Sequence, residues 1–452
     1  MGDKLFRDPL YNYVNIDRND KWLIDAIDCP EVQRLRRIHQ LGVSHFTYPG
    51  AEHNRLAHSM GVLYLMSKAH FHLQNTVKGS QKAQVEHSKH SLLAAALLHD
   101  VGHGPFSHLF EPCMGINHEY WSVRIISDPN SCIHRKLAKI YSNLPTDVCD
   151  LIEGDKPSLP RWEKSLISSQ LDMDRMDYLR RDSLFSGAGY GHFDWSRLIT
   201  TMELHENDNE GIDLVWPEKA SMAIEEYIFA RYYMYQNVYL HKTTRGFEVL
   251  LQAIWKRAKT LIDEGKPPEL IPTIEKLWLN EPEDISVSEY LAVEEHSVLS
   301  QMQDWTNSTD SVLKDLATRF LNRDGFAMID PPPVSDPLTE DRSEWESKVA
   351  DALKKNGFEN ASCYCLKDEL KAKYLSPYRP EPEKGLQDTT NAIFIKSDDG
   401  QVLEVSESLP RLKAVIEMGK PSSKFRYYVP KSIRKTVQSI KKNGLVEDMT
   451  EK

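Results

Sequence analysis

The chain has 452 residues, with 56 Lys and Arg against 67 Asp and Glu and a formal net charge of −11. That length accommodates two or three average domains, or one large helical body with appendages. The acidic balance excludes nucleic-acid binding by bulk attraction alone, so an anionic ligand has to be met by locally clustered cations. Cysteines at 29, 113, 132, 149, 363 and 365 form no C-x-x-C pair and read as reduced thiols. With no apolar signal region at the N-terminus and no run of about 18 apolar residues, the expectation is a soluble cytoplasmic or nuclear protein that does not enter a membrane.

In chain order, Leu10-Tyr-Asn-Tyr-Val14 predicts a small N-terminal hairpin. A helical period then runs to about residue 325, with helices expected over 29–40, 54–76, 88–100, 117–127, 134–142, 162–182, 218–237 and 243–264. Gly187-Ala-Gly-Tyr-Gly191 is too short and irregular for a nucleotide fingerprint and reads as a connector. The proline- and charge-rich stretch 329–346 predicts a linker. Beyond it, Asn391–Lys396 and Gln401–Val405 flank Ser-Asp-Asp-Gly, a hairpin signal because the Asp-Gly step accepts positive φ, and Phe425–Val429 is a third strand. Residues 420–442 hold eight Lys or Arg and no Asp or Glu. A solvated face is the favoured reading there, with an anion-binding or effector surface as the alternative. The predicted fold class is mainly α: a helical body over 1–328 with a small N-terminal β element, then an α+β C-terminal subdomain over 347–452.

One constellation stands out. His58, Val62, Leu65, Met66 and Ala69 fall on one side of a helix, so His58 points to the core side. His99 and Asp100 close the apolar run Ser91–Leu98, and Asp174 shares a helical face with Leu171 and Tyr178. Asp172 and Asp177 compete with Asp174. Asp172 lies about 200° round the helix from it, whereas Asp177, three residues on, reads as a supporting group or salt-bridge partner. Neutral imidazole with carboxylate suits a divalent transition metal, Fe, Mn, Zn, Co or Ni, better than Ca.

The motifs Gln33-Arg-Leu-Arg-Arg-Ile-His-Gln-Leu-Gly42, Tyr48-Pro-Gly-Ala-Glu-His-Asn-Arg-Leu-Ala-His-Ser-Met-Gly61, His99-Asp-Val-Gly-His-Gly-Pro-Phe-Ser-His108, Asn117-His-Glu119 and Asp172–Asp182 continue this pattern. Over roughly residues 4–265, with its motif core at 30–265, the chain resembles the HD-domain phosphohydrolases. Within them it is similar to the deoxynucleoside triphosphate triphosphohydrolase branch, whose SAM-and-HD members it matches in the catalytic core alone, without a SAM domain. The resemblance implies an HD-domain helical core. It makes His58, His99, Asp100 and Asp174 the metal ligands and places His103, His108, His118 and Glu119 at the reaction centre. There His108 or His103 would be the proton donor, with His118 and Glu119 an orienting pair. Arg55, Arg175 and Arg231 would grip phosphates, with Lys242 in the same stretch as Arg231. Gln40, Leu41, Tyr178, Asp182 and Tyr239 would surround the sugar, Leu41 and Tyr239 excluding a 2′-hydroxyl. The implied reaction releases a deoxynucleoside and inorganic triphosphate by attack at the α-phosphate, with Mg accompanying the triphosphate.

The resemblance also implies a homo-oligomer, a dimer or tetramer, and a nucleotide effector held by Lys4, Asp28 and Arg36. Arg7 stands where that effector site has asparagine, Glu111 where the branch often has aspartate, and Arg175 where it commonly has lysine. Two other readings compete: a phosphohydrolase of a monophosphate or a cyclic or modified nucleotide, and a non-catalytic nucleotide or nucleic-acid binder using the 420–442 segment.

Overall fold

The computed structural model describes residues 3–111, 117–153, 159–207, 211–331, 342–371, 375–378, 392–418 and 424–447. Most of the expected linker, Asn391 of the expected hairpin and residues 420–423 of the basic segment lie outside them. The fold is mainly α, as predicted. Its centre is the helix Lys89–Leu98, in which Leu92 to Leu98 are all buried, with Ala94, Ala95 and Ala96 admitting neighbours closely. Packed on it is Arg55–Thr76, whose Asn54 cap accepts a hydrogen bond from the Ala57 N–H and so fixes where the helix starts. Because Lys89–Leu98 ends at Leu98, His99 and Asp100 emerge from its last turn toward the first turns of Arg55–Thr76.

Two expected helices are broken. The 162–182 helix is Arg161–Ile167 followed, after a turn, by Met173–Ser186. Asp172 is the N-cap of the second piece, its side chain accepting from the Arg175 N–H, so it lies outside the helical face on which Asp174 was compared with it. The 29–40 helix shrinks to Pro30–Arg34 and a tight turn, after which His39 pairs across with Asn54. The aromatic helix Ser221–Met234 ends in a π turn, Tyr235–Tyr239, ahead of Lys242–Asp263.

Strands β1 (Lys4–Asp8) and β2 (Asn12–Ile16) form the N-terminal hairpin. A second hairpin, β3 (Glu203–Asn207) and β4 (Gly211–Pro217), falls where a helical period was expected. The C-terminal strands extend sheets begun in the body. After β5 (Ala327–Ile329) and β6 (Leu366–Leu370), β7 (Phe394–Lys396) and β8 (Val402–Glu404) form the expected antiparallel hairpin. Strand β7 joins β4 in parallel, and β9 (Lys424–Val429) lies between β5 and β6.

The reading of all cysteines as thiols is corrected: Cys29 and Cys132 form a disulfide, their Cα atoms 5.6 Å apart across 103 residues of sequence. Each begins a helix, and the packing of Pro30–Arg34 against Cys132–Ala138 brings them into bridging range, which linear spacing does not reveal. Among the described residues, Cys149, Cys363 and Cys365 form no disulfide, and Cys113 lies outside them. Among the described residues, no helix is long and apolar enough to cross a membrane.

Candidate metal centre

The expected ligands converge. His58 Nε2 lies 2.9 Å from Asp174 Oδ1 and 3.6 Å from Asp100 Oδ2. His99 Nε2 lies 3.3 Å from His58 Nε2, 3.4 Å from Asp100 Oδ1 and 3.6 Å from Asp174 Oδ1. His58 and Asp100 are buried, while Asp174 is partly open to solvent, so the centre is approached from its side.

The surroundings fit a divalent cation. His58 Nδ1 is taken by Asp177 Oδ2 at 2.8 Å and His99 Nδ1 by the Ala96 carbonyl at 3.0 Å, so both rings present Nε2 to the common point. Burial opposes protonation of His58, yet hydrogen bonds to Asp174 and Asp177 overcome it and lift its pKa to about 10. Asp174 mirrors this, with burial opposing ionisation while His58 and His99 hold its carboxyl far below the usual range. Facing imidazole nitrogens among buried carboxylates call for positive charge between them, which a metal supplies in place of protons.

Around this centre the structure assigns partners that sequence left open. Asp177 accepts from Arg181 Nε and Nη2, at 2.8 and 3.0 Å, and supports His58 from outside the expected ligand set. Arg55 is buried against Asp100 and donates to Ser107 Oγ at 2.8 Å, so its charge is already matched by a buried carboxylate.

Next to Asp100 lies the histidine cluster. His103 Nε2 is 3.2 Å from Asp100 Oδ1, and its ring stacks on His118 with centroids 3.7 Å apart. Burial, with the nearby charges of Arg55 and His118, pushes the His103 pKa well below its ordinary value, so it is neutral. Glu111 Oε1 joins His108 Nδ1 at 3.0 Å to His118 Nδ1 at 2.6 Å. Glu119 is not bonded to these histidines among the described residues: it is exposed in the first turn of His118–Ser127, where it accepts from Asn117 at 3.2 Å and complements the helix dipole. The orienting carboxylate of His118 is Glu111. Left-handed backbone at Phe106 and Ser107, φ 56° and 59°, turns the chain so that Ser107 faces inward and His108 outward.

One turn on from Asp174, Tyr178 is surrounded by Tyr235, Arg175, Arg231 and Tyr227; burial foremost, then Tyr235, raises its hydroxyl pKa well above normal against the lowering pull of the two guanidiniums. Arg175 also pairs with Asp172 at 3.2 Å. Arg231 lies over the Tyr235 ring and donates to the Pro377 carbonyl at 3.2 Å, while its Nε is buried without a partner among the described residues. Lys242 is exposed. Asp182 spends one oxygen on His53 Nε2 at 2.7 Å and the other on the Tyr239 hydroxyl at 2.8 Å. The Gln40 N–H donates to the His53 carbonyl at 3.0 Å, and Leu41 packs against the core. Lys4, Asp28 and Arg36 are exposed, with no hydrogen bond or ion pair joining them among the described residues.

Residues 55–182, which span all four expected ligands, match the HD domain family, and residues 193–268 match the HD-associated region. The uncharacterized protein YwfO of Bacillus subtilis is 35% identical over 434 residues, 95% of this chain and 93% of YwfO. The chain belongs to the HD phosphohydrolase family. The deoxynucleoside triphosphate triphosphohydrolase SAMHD1 of Homo sapiens is 27% identical over 293 residues, covering 58% of this chain and 45% of SAMHD1. A phosphohydrolase of Bacteroides thetaiotaomicron superposes on this HD protein with a TM-score of 0.75 at 27% identity, over 94% of this chain and 99% of that one. Sequence reasoning about this HD protein missed Ser107, Arg181 and His53 as site-supporting residues. Of these, only Arg181, four residues past Asp177 on a helix, carried a local signal.

Proposed function

We propose that this HD protein hydrolyses deoxynucleoside triphosphates to deoxynucleoside and inorganic triphosphate. The observation that carries the reading is the placement of Arg175 and Arg231 about Tyr178, one turn along the helix from the ligand Asp174. A phosphate chain leaving the metal centre on its open side meets these cations first, and fork-shaped guanidiniums match phosphate oxygens. The 27% identity to SAMHD1 supports the same reading.

A divalent transition metal held by His58, His99, Asp100 and Asp174 supplies Lewis-acid chemistry at a phosphoryl group. The chain's own residues do the rest. His108, exposed and tied through Nδ1 to Glu111, presents Nε2 to the leaving oxygen as proton donor. His103, buried and neutral, instead braces Asp100 against His118. Tyr239, aimed by Asp182, closes the sugar end with Leu41, where a 2′-hydroxyl would lose its hydration without gaining a partner. An oligomer, and an effector reaching Lys4, Asp28 and Arg36, belong to the same proposal.

A second reading has its own observation. Arg55 and Arg175 each already neutralise an aspartate, which suits a substrate of lower charge such as a monophosphate. Incubating the metal-loaded protein with each dNTP, NTP, dNMP and cyclic nucleotide and separating the products distinguishes the two. Deoxynucleoside plus triphosphate is expected, and it should vanish in Asp100→Ala. Release of orthophosphate or pyrophosphate would refute the triphosphohydrolase reading.

A further inference from the structure

The N-terminal hairpin supplies no ligand, yet a buried chain of charges runs from it to the metal centre. Asp8, at the end of β1, accepts the Leu10 and Tyr11 N–H groups on Oδ1 at 2.8 and 2.9 Å, which fixes its carboxylate in the hairpin turn. Its Oδ2 receives Arg181 Nη1 at 2.9 Å. The other side of that guanidinium grips Asp177, and Asp177 holds His58 Nδ1. We propose that Asp8 is a positioning residue for the metal centre, acting through Arg181 and Asp177 on the expected ligand His58, so that its carboxylate tunes the affinity for the divalent metal.

Three features carry this. The side chains of Asp8, Arg181, Asp177 and His58 are 6%, 0%, 0% and 1% exposed, so a displaced member is not replaced by water and each link holds the next. Asp8 and Asp177 also compete for one guanidinium. By drawing part of the Arg181 charge away, Asp8 leaves Asp177 a stronger acceptor for the His58 N–H, which makes Nε2 a better metal donor. Finally, the ligand-bearing helix is cut away to admit the pair. A Cβ at Gly61 would stand 1.9 Å from Asp177 Oδ1 and 2.4 Å from Arg181 Nη2. The hairpin docks on that same helix, Tyr11 stacking on Tyr64 with ring centroids 4.5 Å apart.

The inference rests on the metal centre and not on the substrate, and its test uses Co(II) alone. The full-length protein is stripped of metal and titrated with Co(II) against a chelator, His58→Ala defining the signal from this centre. Asp8→Asn keeps the turn acceptor but sets an amide against Arg181, and about tenfold weaker Co(II) binding is expected, the lower end for an outer-shell change. Val14→Ala, which loosens the hairpin core without touching the charges, should bind within about twofold of the parent. Unchanged affinity in Asp8→Asn, or an equal loss in Val14→Ala, would overturn the proposal. If Asp8→Asn does not fold, Arg181→Lys, which keeps the charge and loses the fork, is read by the same criterion. Product analysis can fail while this holds, and the reverse.

Discussion

Gly61→Ala tests the packing behind the metal centre with a single added carbon. On an exposed helix the change would stabilise by about 1 kcal/mol, because glycine carries the larger entropy cost. Here the new Cβ falls 1.9 Å from Asp177 Oδ1, 2.4 Å from Arg181 Nη2 and 2.5 Å from Asp177 Cγ. The side chains that would have to move are fully buried and bonded to each other. Prying apart a buried ion pair costs about 3–5 kcal/mol, so the net expectation is a loss of about 2–4 kcal/mol. Urea denaturation of the metal-free protein, followed by far-UV circular dichroism, measures it. Co(II) titration of the folded variant should also weaken, because Asp177 can no longer hold His58 Nδ1. A variant as stable as the parent, with unchanged metal affinity, would refute the claim that Asp177 and Arg181 are wedged against this helix.

Glu111→Gln removes the carboxylate shared by His108 and His118, and kcat should fall by about 10²- to 10⁴-fold with metal content unchanged; a kcat near the parent value would remove His108 from the donor role. Arg231→Ala should raise KM for a triphosphate with full metal content, whereas loss of metal would show that its helix supports the centre instead. Glu163, half-buried near the charge of Asp147, has its carboxyl pushed up to about 7, desolvation being the larger cause. The folded state therefore keeps a proton that the unfolded chain releases near its ordinary pKa, so stability falls as pH rises from about 4.5 to about 7. Glu163→Gln should flatten that slope and gain roughly 1–3 kcal/mol at pH 8 in urea denaturation, and a variant with the parent's slope would contradict the assignment.

The convergence of the candidate metal ligands was legible because their signals are local: one helical face for His58, a doublet at the end of an apolar run for His99 and Asp100, and one turn for Asp174. Helical and strand periods likewise exposed the main helices and the β7–β8 hairpin, since which face is buried depends on residues three, four or two apart. The β3–β4 hairpin was missed inside a region that otherwise reads as helical.

Partner choice was another matter. Nothing in the spacing distinguishes Glu111 from Glu119 as the carboxylate of His118; the helix starting at His118 turns Glu119 to solvent, and it is Glu111 that lies 2.6 Å from His118 Nδ1. Arg55 looked free for phosphate until packing buried it on Asp100, and Cys29 met Cys132 only through two helices packing side by side. Asp8 and Arg181 lie 173 residues apart and touch because the hairpin folds back over the ligand-bearing helix. Short-range geometry, dictated by backbone periodicity, is written in the sequence. Which buried charge meets which is decided where distant segments exclude water together, and that is a property of the tertiary structure.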